Sequence, residues 1–209
     1  MAHPQLALAP GRRHLKSMFI QTEQTPNPLT LKFLPGKPVM EEGVREFRTA
    51  EEAAAGSILA AALFEIEGVT RVFFGSDFVS VTREQHGLEW RQLKAPILAA
   101  IMDHYTSGQA LLAASSVESG HSTTGVYDAD AEQVVGEIKE LLDTRVRPAV
   151  ARDGGDILFD RFDPETGTVW LHMRGACSGC PSSSATLKSG VENLLKHYVP
   201  EVVRVEQAL

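Results

Sequence analysis

Both cysteines of the chain lie in the stretch Gly175-Ala176-Cys177-Ser178-Gly179-Cys180-Pro181. Two thiolates with two residues between them can grip one metal centre or close one small disulfide loop. Ser178 and Gly179 leave the backbone free to curl around such a centre, because glycine has no Cβ and tolerates positive φ. Pro181 fixes φ for the first turn of a helix. The stretch therefore predicts a compact sulfur site at the start of a helix.

A predicted strand enters the cysteine stretch and a predicted helix leaves it. Apolar and polar residues alternate over 168–173, which indicates a strand, and residues 182–198 indicate a helix that Pro200 ends. Cys180 would then lie at or just before the helix N-terminus, where the dipole and free amides favour an anionic sulfur. We therefore expect the two thiolates to be held between two rigid elements.

The rest of the second half is predicted to form an α+β unit around that loop. Apolar residues at helical spacing over 131–150 indicate an amphipathic helix, which Pro148 should kink or end. The sequence further predicts a turn over 153–156, strands over 157–162 and 202–205, and a hairpin loop over 163–167.

The first half of the chain predicts a separate α+β unit over residues 18–108. Residues 69–74 and 78–82 are rich in β-branched and aromatic residues and flank Gly75-Ser76-Asp77, which indicates a hairpin. Strands are also predicted over 19–23, 29–34 and 45–48, and single helices over 51–65 and 90–105. The predicted fold class is α+β, with two small domains, each a small mixed or antiparallel sheet packed with helices.

Two segments fall outside these units. Residues 109–130 are rich in Ser, Thr and Gly, a composition typical of a flexible linker that lets the flanking domains, 18–108 and 131–209, move independently. Residues 1–17 carry three Arg or Lys side chains and no acid, as a mitochondrial presequence does. Prolines there oppose an amphipathic helix, so a disordered extension or a start codon placed too early is the preferred interpretation. The expected location is a bacterial cytoplasm, with the mitochondrial matrix as the alternative.

Composition argues against several classes of function. The 209 residues carry a formal net charge of −7, which makes general nucleic-acid binding a poor hypothesis. No apolar run approaches the roughly 20 residues that span a bilayer, so no membrane partner is expected. Two closely spaced cysteines are not the disulfide framework of a secreted protein, so a reducing compartment is expected.

Three interpretations of the cysteine pair compete, and the first is a bound iron–sulfur cluster. A cubane cluster needs four thiolates, and this chain has two cysteines. A two-fold dimer that brings both loops face to face would supply four. A site split between subunits opens easily, which suits a protein that hands its cluster on.

The other two interpretations use the same two sulfurs. Thioredoxin-like enzymes also place Cys-x-x-Cys at a helix N-terminus, although no parallel βαβ pattern precedes the motif here. Tetrahedral zinc takes four ligands, and His172, the one near addition, is expected at the surface of its strand. Spacing alone leaves the cluster and the redox dithiol open, with zinc behind them. An idle pair is disfavoured, because an exposed thiol pair at a helix start is reactive.

No other group of residues is predicted to do chemistry. Asp153-Gly154-Gly155-Asp156 has the residues of an acidic metal site, but a tight turn with both acids facing water is the preferred interpretation. His104, His121 and His197 are scattered and are expected at the surface. The sequence shows no Ser-His-Asp order, no phosphate-cradling glycine loop and no paired carboxylates, so the chain is not expected to be an enzyme.

Two sets of motifs resemble those of a known family. The first half of the chain, over 19–28 and 31–36, is similar to the Nfu N-terminal domain. The second half resembles the C-terminal domain of NifU, the Nfu-type iron–sulfur carrier domain, over residues 153–157, 175–183, 186–192 and 200–202. The resemblance extends from about Met18 to the C-terminus, with the two motifs in the expected order.

The resemblance implies a carrier that binds a [4Fe-4S] cluster across a homodimer and transfers it to apo iron–sulfur proteins, with a [2Fe-2S] cluster as an alternative cargo. Cys177 and Cys180 match the family's cluster ligands. Full-length NifU also has a scaffold domain and a ferredoxin-like domain with cysteines of their own, and this chain has none to spare. It would therefore be loaded by an upstream assembly scaffold. The first domain lacks cysteine, and its expected role is partner contact or tuning of the carrier domain.

Overall fold

The computed structural model describes residues 19–113, 127–178 and 181–208 of the chain. The strands of the first range form one antiparallel sheet in the order β1-β2-β5-β4-β3. Its elements in chain order are β1 (Gln21–Gln24), β2 (Thr30–Leu34), β3 (Arg45–Phe47), α1 (Ala50–Gly56), α2 (Ile58–Phe64), β4 (Val69–Phe74), β5 (Val79–Arg83) and α3 (Trp90–Ser107). The predicted strands and hairpin of this half are confirmed to within a few residues.

The helices of this domain cover one side of the sheet, which we call the inner face. Strand residues alternate between two sides, and Leu31, Phe33 and Val81 point toward the helices, where they are at most 4% exposed. They belong to the same core as Leu93 and Ile97 of α3, two of the residues whose spacing predicts that helix. Apolar burial on the inner face therefore holds the domain together.

The opposite side, which we call the outer sheet face, carries the alternate residues of the same strands. Lys32 of β2 lies opposite Ser80 of β5, Ser80 lies opposite Phe73 of β4, and Phe73 lies opposite Glu46 of β3. These four side chains form a row across the sheet. Arg71 of β4 lies two residues before Phe73 and extends the same side.

The single helix predicted over 51–65 is in fact two helices, divided at Ser57. Ser57 has extended backbone angles, φ −160° and ψ 128°. Its N–H donates to the carbonyl oxygen of Ala53 over 2.9 Å, and its Oγ accepts from the N–H of Ala60 over 3.2 Å. Ser57 thus ends α1 and caps α2. The preceding Gly56 lies so close to Phe47 that a Cβ there would be 2.7 Å from Cε1 of the ring, which fixes the path of the chain at the break.

The second domain has a smaller, mixed sheet. Its elements are α4 (Ala129–Leu141), a π-helical segment (Leu142–Val146), α5 (Arg147–Arg152), β6 (Gly155–Asp163), β7 (Thr168–Gly175), α6 (Pro181–Tyr198) and β8 (Arg204–Gln207). β6 pairs antiparallel with β7, and β8 pairs parallel with β7. The core includes Ile138, Leu171 and Leu195, which are fully buried. The predicted helices, hairpin and closing strand of this half are therefore present.

The predicted interruption at Pro148 is confirmed. Pro148 lies in the first turn of α5, directly after the π-helical segment. Because proline has no N–H, it cannot donate to the carbonyl four residues earlier, and the widened turn absorbs the break in the hydrogen-bond ladder. The helix then runs to Arg152 and brings the chain directly to the turn that precedes β6.

The predicted fold class is confirmed, since the chain forms two α+β domains, one on a five-stranded sheet and one on a three-stranded sheet. Much of the predicted linker, residues 114–126, lies outside the described residues, as does the predicted extension over 1–17. Where the chain is described, no helix is both long and apolar enough to cross a membrane. The two domains contact each other along β4, β5 and β7, a contact that the composition of the linker does not predict.

Candidate functional site

The cysteine loop, residues 175–181, follows β7 directly. Gly175 ends the strand with φ +61°, in the left-handed region that favours glycine. Ser178 closes the turn, because its Oγ donates to the carbonyl oxygen of Gly175 over 2.9 Å. With β7 ending at Gly175 and α6 beginning at Pro181, the predicted strand before the loop and the predicted helix after it are confirmed. Cys180 lies outside the described residues, so its place at the helix N-terminus stays a prediction.

The backbone of Gly155 lies directly against the sulfur of Cys177. A Cβ placed on Gly155 would lie 2.5 Å from Cys177 Sγ and 2.6 Å from the carbonyl oxygen of Arg174. A Cβ on Gly175 would lie 2.7 Å from the carbonyl oxygen of Gly154. Gly155 and Gly175 therefore form a glycine cradle that any side chain would fill. The sequence pattern indicates a turn at Gly155 but not this contact with the sulfur.

Cys177 is buried in this arrangement, with 5% of its surface exposed. Burial, together with the negative charges of Asp153, Asp156 and Glu46, raises the pKa of its thiol to about 12. The thiol is therefore protonated at neutral pH, and it is buried, whereas the sequence predicts an exposed pair, with the anionic sulfur expected at Cys180. The difference arises because the loop is covered where the sequence pattern predicts an open surface.

A groove of about 650 Å³ lies beside Cys177. Most of its lining is apolar and comes from α5 and α6, with Val150, Leu187 and Leu194 among the lining side chains. Pro26 of the first domain also contributes to the lining. The sulfur therefore adjoins a space of low polarity within reach of both domains.

Asp156, the last residue of the Asp-Gly-Gly-Asp turn, is not where the sequence predicts it. Its carboxylate is buried, and Arg147 donates to it twice, from Nε over 2.8 Å and from Nη2 over 2.9 Å. Arg147 also donates to Asp143 over 2.8 Å. The hydrogen bond with Asp156 is the main cause of the raised pKa of the Arg147 guanidinium, and such a two-pronged pair neutralises a buried carboxylate. The prediction that both acids face water is wrong for Asp156, while Asp153 is exposed.

The histidines add no ligand to Cys177 in the part of the chain that the structure describes. His172 is half-buried, and its Nε2 lies 3.2 Å from Asp160 Oδ1. His104 is buried, contrary to prediction, and burial lowers its pKa. His197 is exposed, as predicted, and His121 lies outside the described residues. Among described side chains, no three from His, Cys, Asp and Glu converge on a possible metal position.

The first domain supplies side chains to the cysteine loop that the sequence analysis does not assign to the site. Glu46 Oε1 accepts a hydrogen bond from the N–H of Gly175 over 2.9 Å, and Asn27 Nδ2 donates to the carbonyl oxygen of Ser178 over 3.2 Å. Arg71 donates to the hydroxyl of the same serine. The available signal is weak, because a polar residue on one face of a strand is the ordinary mark of a solvated face.

Comparisons with known proteins match both halves of the chain. The family model described as "Scaffold protein Nfu/NifU N terminal" matches residues 20–108, and the "NifU-like domain" matches 138–206. The chain is 55% identical to NifU-like protein 4, mitochondrial, of Arabidopsis thaliana, over 92% of this chain and 66% of that protein. It is 49% identical to NFU1 iron-sulfur cluster scaffold homolog, mitochondrial, of Homo sapiens, over 93% of this chain and 74% of that protein. The chain thus spans about two thirds of the length of the Arabidopsis relative.

Proposed function

The chain belongs to the Nfu/NifU family of iron–sulfur cluster scaffold proteins, and we propose that it carries one [4Fe-4S] cluster between two copies of itself. Cys177 and Cys180 of each copy would be the ligands. The observation that carries the proposal is the glycine cradle of Gly155 and Gly175. It leaves the Cys177 sulfur against bare backbone, on the loop that also holds the other cysteine.

The number of sulfurs supports a shared site. A cubane cluster takes four thiolates, and the chain offers two. Within the described residues, no histidine or carboxylate group joins Cys177 to complete the set. A second copy related by a two-fold axis would complete it with identical ligands. A [2Fe-2S] cluster also takes four ligands, so it remains the alternative cargo.

The surroundings of Cys177 suit a metal-bound sulfur better than a free thiolate. The pKa of the buried thiol is raised to about 12, so the sulfur would become anionic when a metal cation replaces its proton. A buried, protonated thiol is also a weak nucleophile, which counts against a dithiol oxidoreductase. The apolar groove beside the sulfur would shield a bound cluster from water.

Transfer would proceed by exchange of thiolate ligands. An apo client protein offers its own thiolates, and these replace the carrier's thiolates one at a time. The two chains would separate as the cluster leaves, because the cluster is what they share. A more deeply buried site in the client would drive the exchange. The empty carrier would then be loaded again by an upstream assembly scaffold.

The matched family is one of scaffold proteins, which agrees with the expectation that this chain is not an enzyme. The relatives from Arabidopsis thaliana and Homo sapiens are named as mitochondrial. Their location supports the mitochondrial matrix, the alternative given by the basic segment 1–17, and gives no support to a bacterial cytoplasm.

Anaerobic reconstitution of the full chain with iron and sulfide tests this proposal. Iron counting, absorption spectroscopy and native mass on one sample should give about four irons per two chains, in a dimer with broad visible absorption. A monomer that holds iron would refute sharing between chains. A colourless monomer that reduces a disulfide substrate would instead establish the dithiol oxidoreductase.

A further inference from the structure

The outer sheet face is buried, although the helices of its own domain lie on the other side. Its cross-strand row of Lys32, Ser80, Phe73 and Glu46 is at most 8% exposed. Lysine and glutamate are seldom so deeply buried unless they are paired. Within the first domain, Lys32 pairs with Glu23 over 3.2 Å and Glu46 pairs with Arg48 over 2.8 Å, and the second domain covers the rest of the row.

Polar side chains of the row bind main-chain groups of the second domain. Ser80 Oγ donates to the carbonyl oxygen of Gly154 over 2.7 Å, and Glu46 Oε1 accepts from the N–H of Gly175 over 2.9 Å. Lys32 Nζ donates to the carbonyl oxygen two residues before Gly154 over 3.1 Å. These partners lie on both sides of the glycine cradle, in the turn before β6 and at the end of β7.

The first domain also holds the residue that follows Cys177. Asn27 Nδ2 donates to the carbonyl oxygen of Ser178, and Arg71 donates to its hydroxyl. Arg71 Nη1 in turn lies 3.7 Å from Glu46 Oε1. Both the main chain and the side chain of Ser178 are therefore engaged by the first domain.

Apolar contact completes this interface. Phe73 and Phe78 form a cluster with Val44, and Ala151 of α5 packs against it. A Cβ on Gly175 would lie 3.0 Å from Cδ1 of Phe73. The phenyl ring fits against the cysteine loop because residue 175 is a glycine.

We propose that the outer sheet face is a docking surface for the cysteine loop, and that the first domain is a lid that must leave before two loops can share a cluster. The inference rests on the proposed function, since it concerns access to the same sulfurs. Cys177 is itself part of the second domain's core, and the neighbouring Ser178 and Gly175 are bound by the first domain, so the docked loop is not free to meet a second copy. Most of the named contacts are hydrogen bonds to main-chain groups, which water can replace, so we expect docking to be reversible. Docking and cluster loading therefore compete for one loop.

Alkylation of the reduced, iron-free full chain with N-ethylmaleimide tests the lid. Fragment-ion mass spectrometry distinguishes Cys177 from Cys180, and a chain unfolded in denaturant gives the unprotected rate. In the native chain we expect Cys177 to react at least about tenfold more slowly than in the unfolded chain, because reaction requires opening.

Two variants should release the loop. The double variant Glu46→Ala/Arg71→Ala removes two contacts with the loop and should raise the native Cys177 rate about tenfold. Ser80→Glu places a carboxylate against the carbonyl oxygen of Gly154 and should have a similar effect, while the undocked glutamate would face water. Lys94→Ala, on the exposed side of α3, is the matched control and should leave the rate unchanged.

Circular dichroism and thermal unfolding establish whether each variant is folded. If the double variant does not fold, the test uses Ser80→Glu alone. Folded variants with the wild-type Cys177 rate would overturn the lid, as would a native chain alkylated as fast as the unfolded one. Iron does not enter these measurements. If the chain binds no cluster but protects Cys177, the proposed function is refuted and the docking stands. If the chain binds a cluster but does not protect Cys177, the docking is refuted and the proposed function stands.

Discussion

The first sheet buries both of its faces, and it does so by different chemistry. On the inner face, Phe74 packs into the domain's own core, edge-on to Phe47 at a centroid distance of 5.4 Å. On the outer sheet face, the adjacent Phe73 lies beside side chains that bind the main chain of the cysteine loop. Apolar burial on the inner face drives folding, whereas the hydrogen bonds on the outer face can be exchanged for water. The inner face thus provides most of the stability, and the outer face controls access to the sulfurs.

The largest expected effect comes from removing a sulfur, which alters function without touching either sheet face. Cys177→Ser and Cys180→Ser should each abolish stable cluster retention after anaerobic reconstitution, because the chain has no other cysteine. Both variants should keep the circular dichroism spectrum and cooperative thermal unfolding of the native chain. Retention of a full cluster by either variant would contradict the assignment of the ligands.

Phe74 and Phe73 form a matched pair for separating the two faces, since they are adjacent and both almost fully buried. Phe74→Ala leaves a cavity in the core and should lower the free energy of unfolding by about 3–5 kcal/mol. Phe73→Ala should cost less, because the ring can be exposed by undocking without unfolding, and it should speed alkylation of Cys177. Urea unfolding and alkylation rates of both variants measure the difference. Equal losses of stability with unchanged alkylation would remove the distinction between the faces.

Gly155 of the glycine cradle contacts only the second domain, so its effect on stability should not depend on docking. Gly155→Ala places a Cβ 2.5 Å from the Cys177 sulfur and should lower the free energy of unfolding by about 1–3 kcal/mol, with weaker cluster binding. Gly136→Ala in α4 is the control, because no atom beyond its chain neighbours and its own helix backbone lies within 4 Å of its Cβ position. It should raise stability by about 0.5–1 kcal/mol. Urea unfolding and iron content measure both effects. If Gly155→Ala changes neither, the backbone around the Cys177 sulfur has room for a side chain, contrary to the structure.

Local patterns predict most elements of this fold because the causes of those elements are local. Alternation and turn chemistry around Gly75-Ser76-Asp77 suffice for the hairpin of β4 and β5. The sequence predicts one helix over 51–65 and misses the break at Ser57, because an Ala-rich composition favours a continuous helix. The break at Ser57 accompanies the close contact of Gly56 with Phe47, which lies on another strand and leaves no mark in the local pattern.

The candidate site is only half visible in the sequence for the same reason. The spacing of Cys177 and Cys180 points to the sulfurs, and the strand and helix around them follow from periodicity. Polar residues such as Lys32, Ser80 and Asp156 have the pattern of solvated side chains, yet all three are buried. A pattern shows that a side chain is polar. It does not show whether its partner is water, an arginine or the main chain of another domain.

The smallest expected effect is a pH dependence of stability, caused by a histidine on the inner side of the first domain. His104 is buried on α3, its Nδ1 has no hydrogen-bond partner within the described structure, and burial lowers its pKa from 6.5. The folded chain keeps this imidazole neutral, whereas the unfolded chain binds a proton near pH 6.5, so acid favours unfolding. The free energy of unfolding is therefore unaffected by His104 above about pH 6.5, and it decreases as the pH falls from there toward the pKa of His104 in the folded chain.

His104→Leu should therefore lessen the loss of stability between pH 7.5 and pH 5.5, measured by urea unfolding, because it removes the group that takes up the proton. His197→Leu is the control, since His197 is exposed, and it should follow the native chain. The ratio of Cys177 alkylation rates between His104→Leu and the native chain should stay constant over this range, because His104 faces the core and not the outer sheet face. A change in that ratio would show that the two faces are coupled, and that loss of order in the core also releases the cysteine loop.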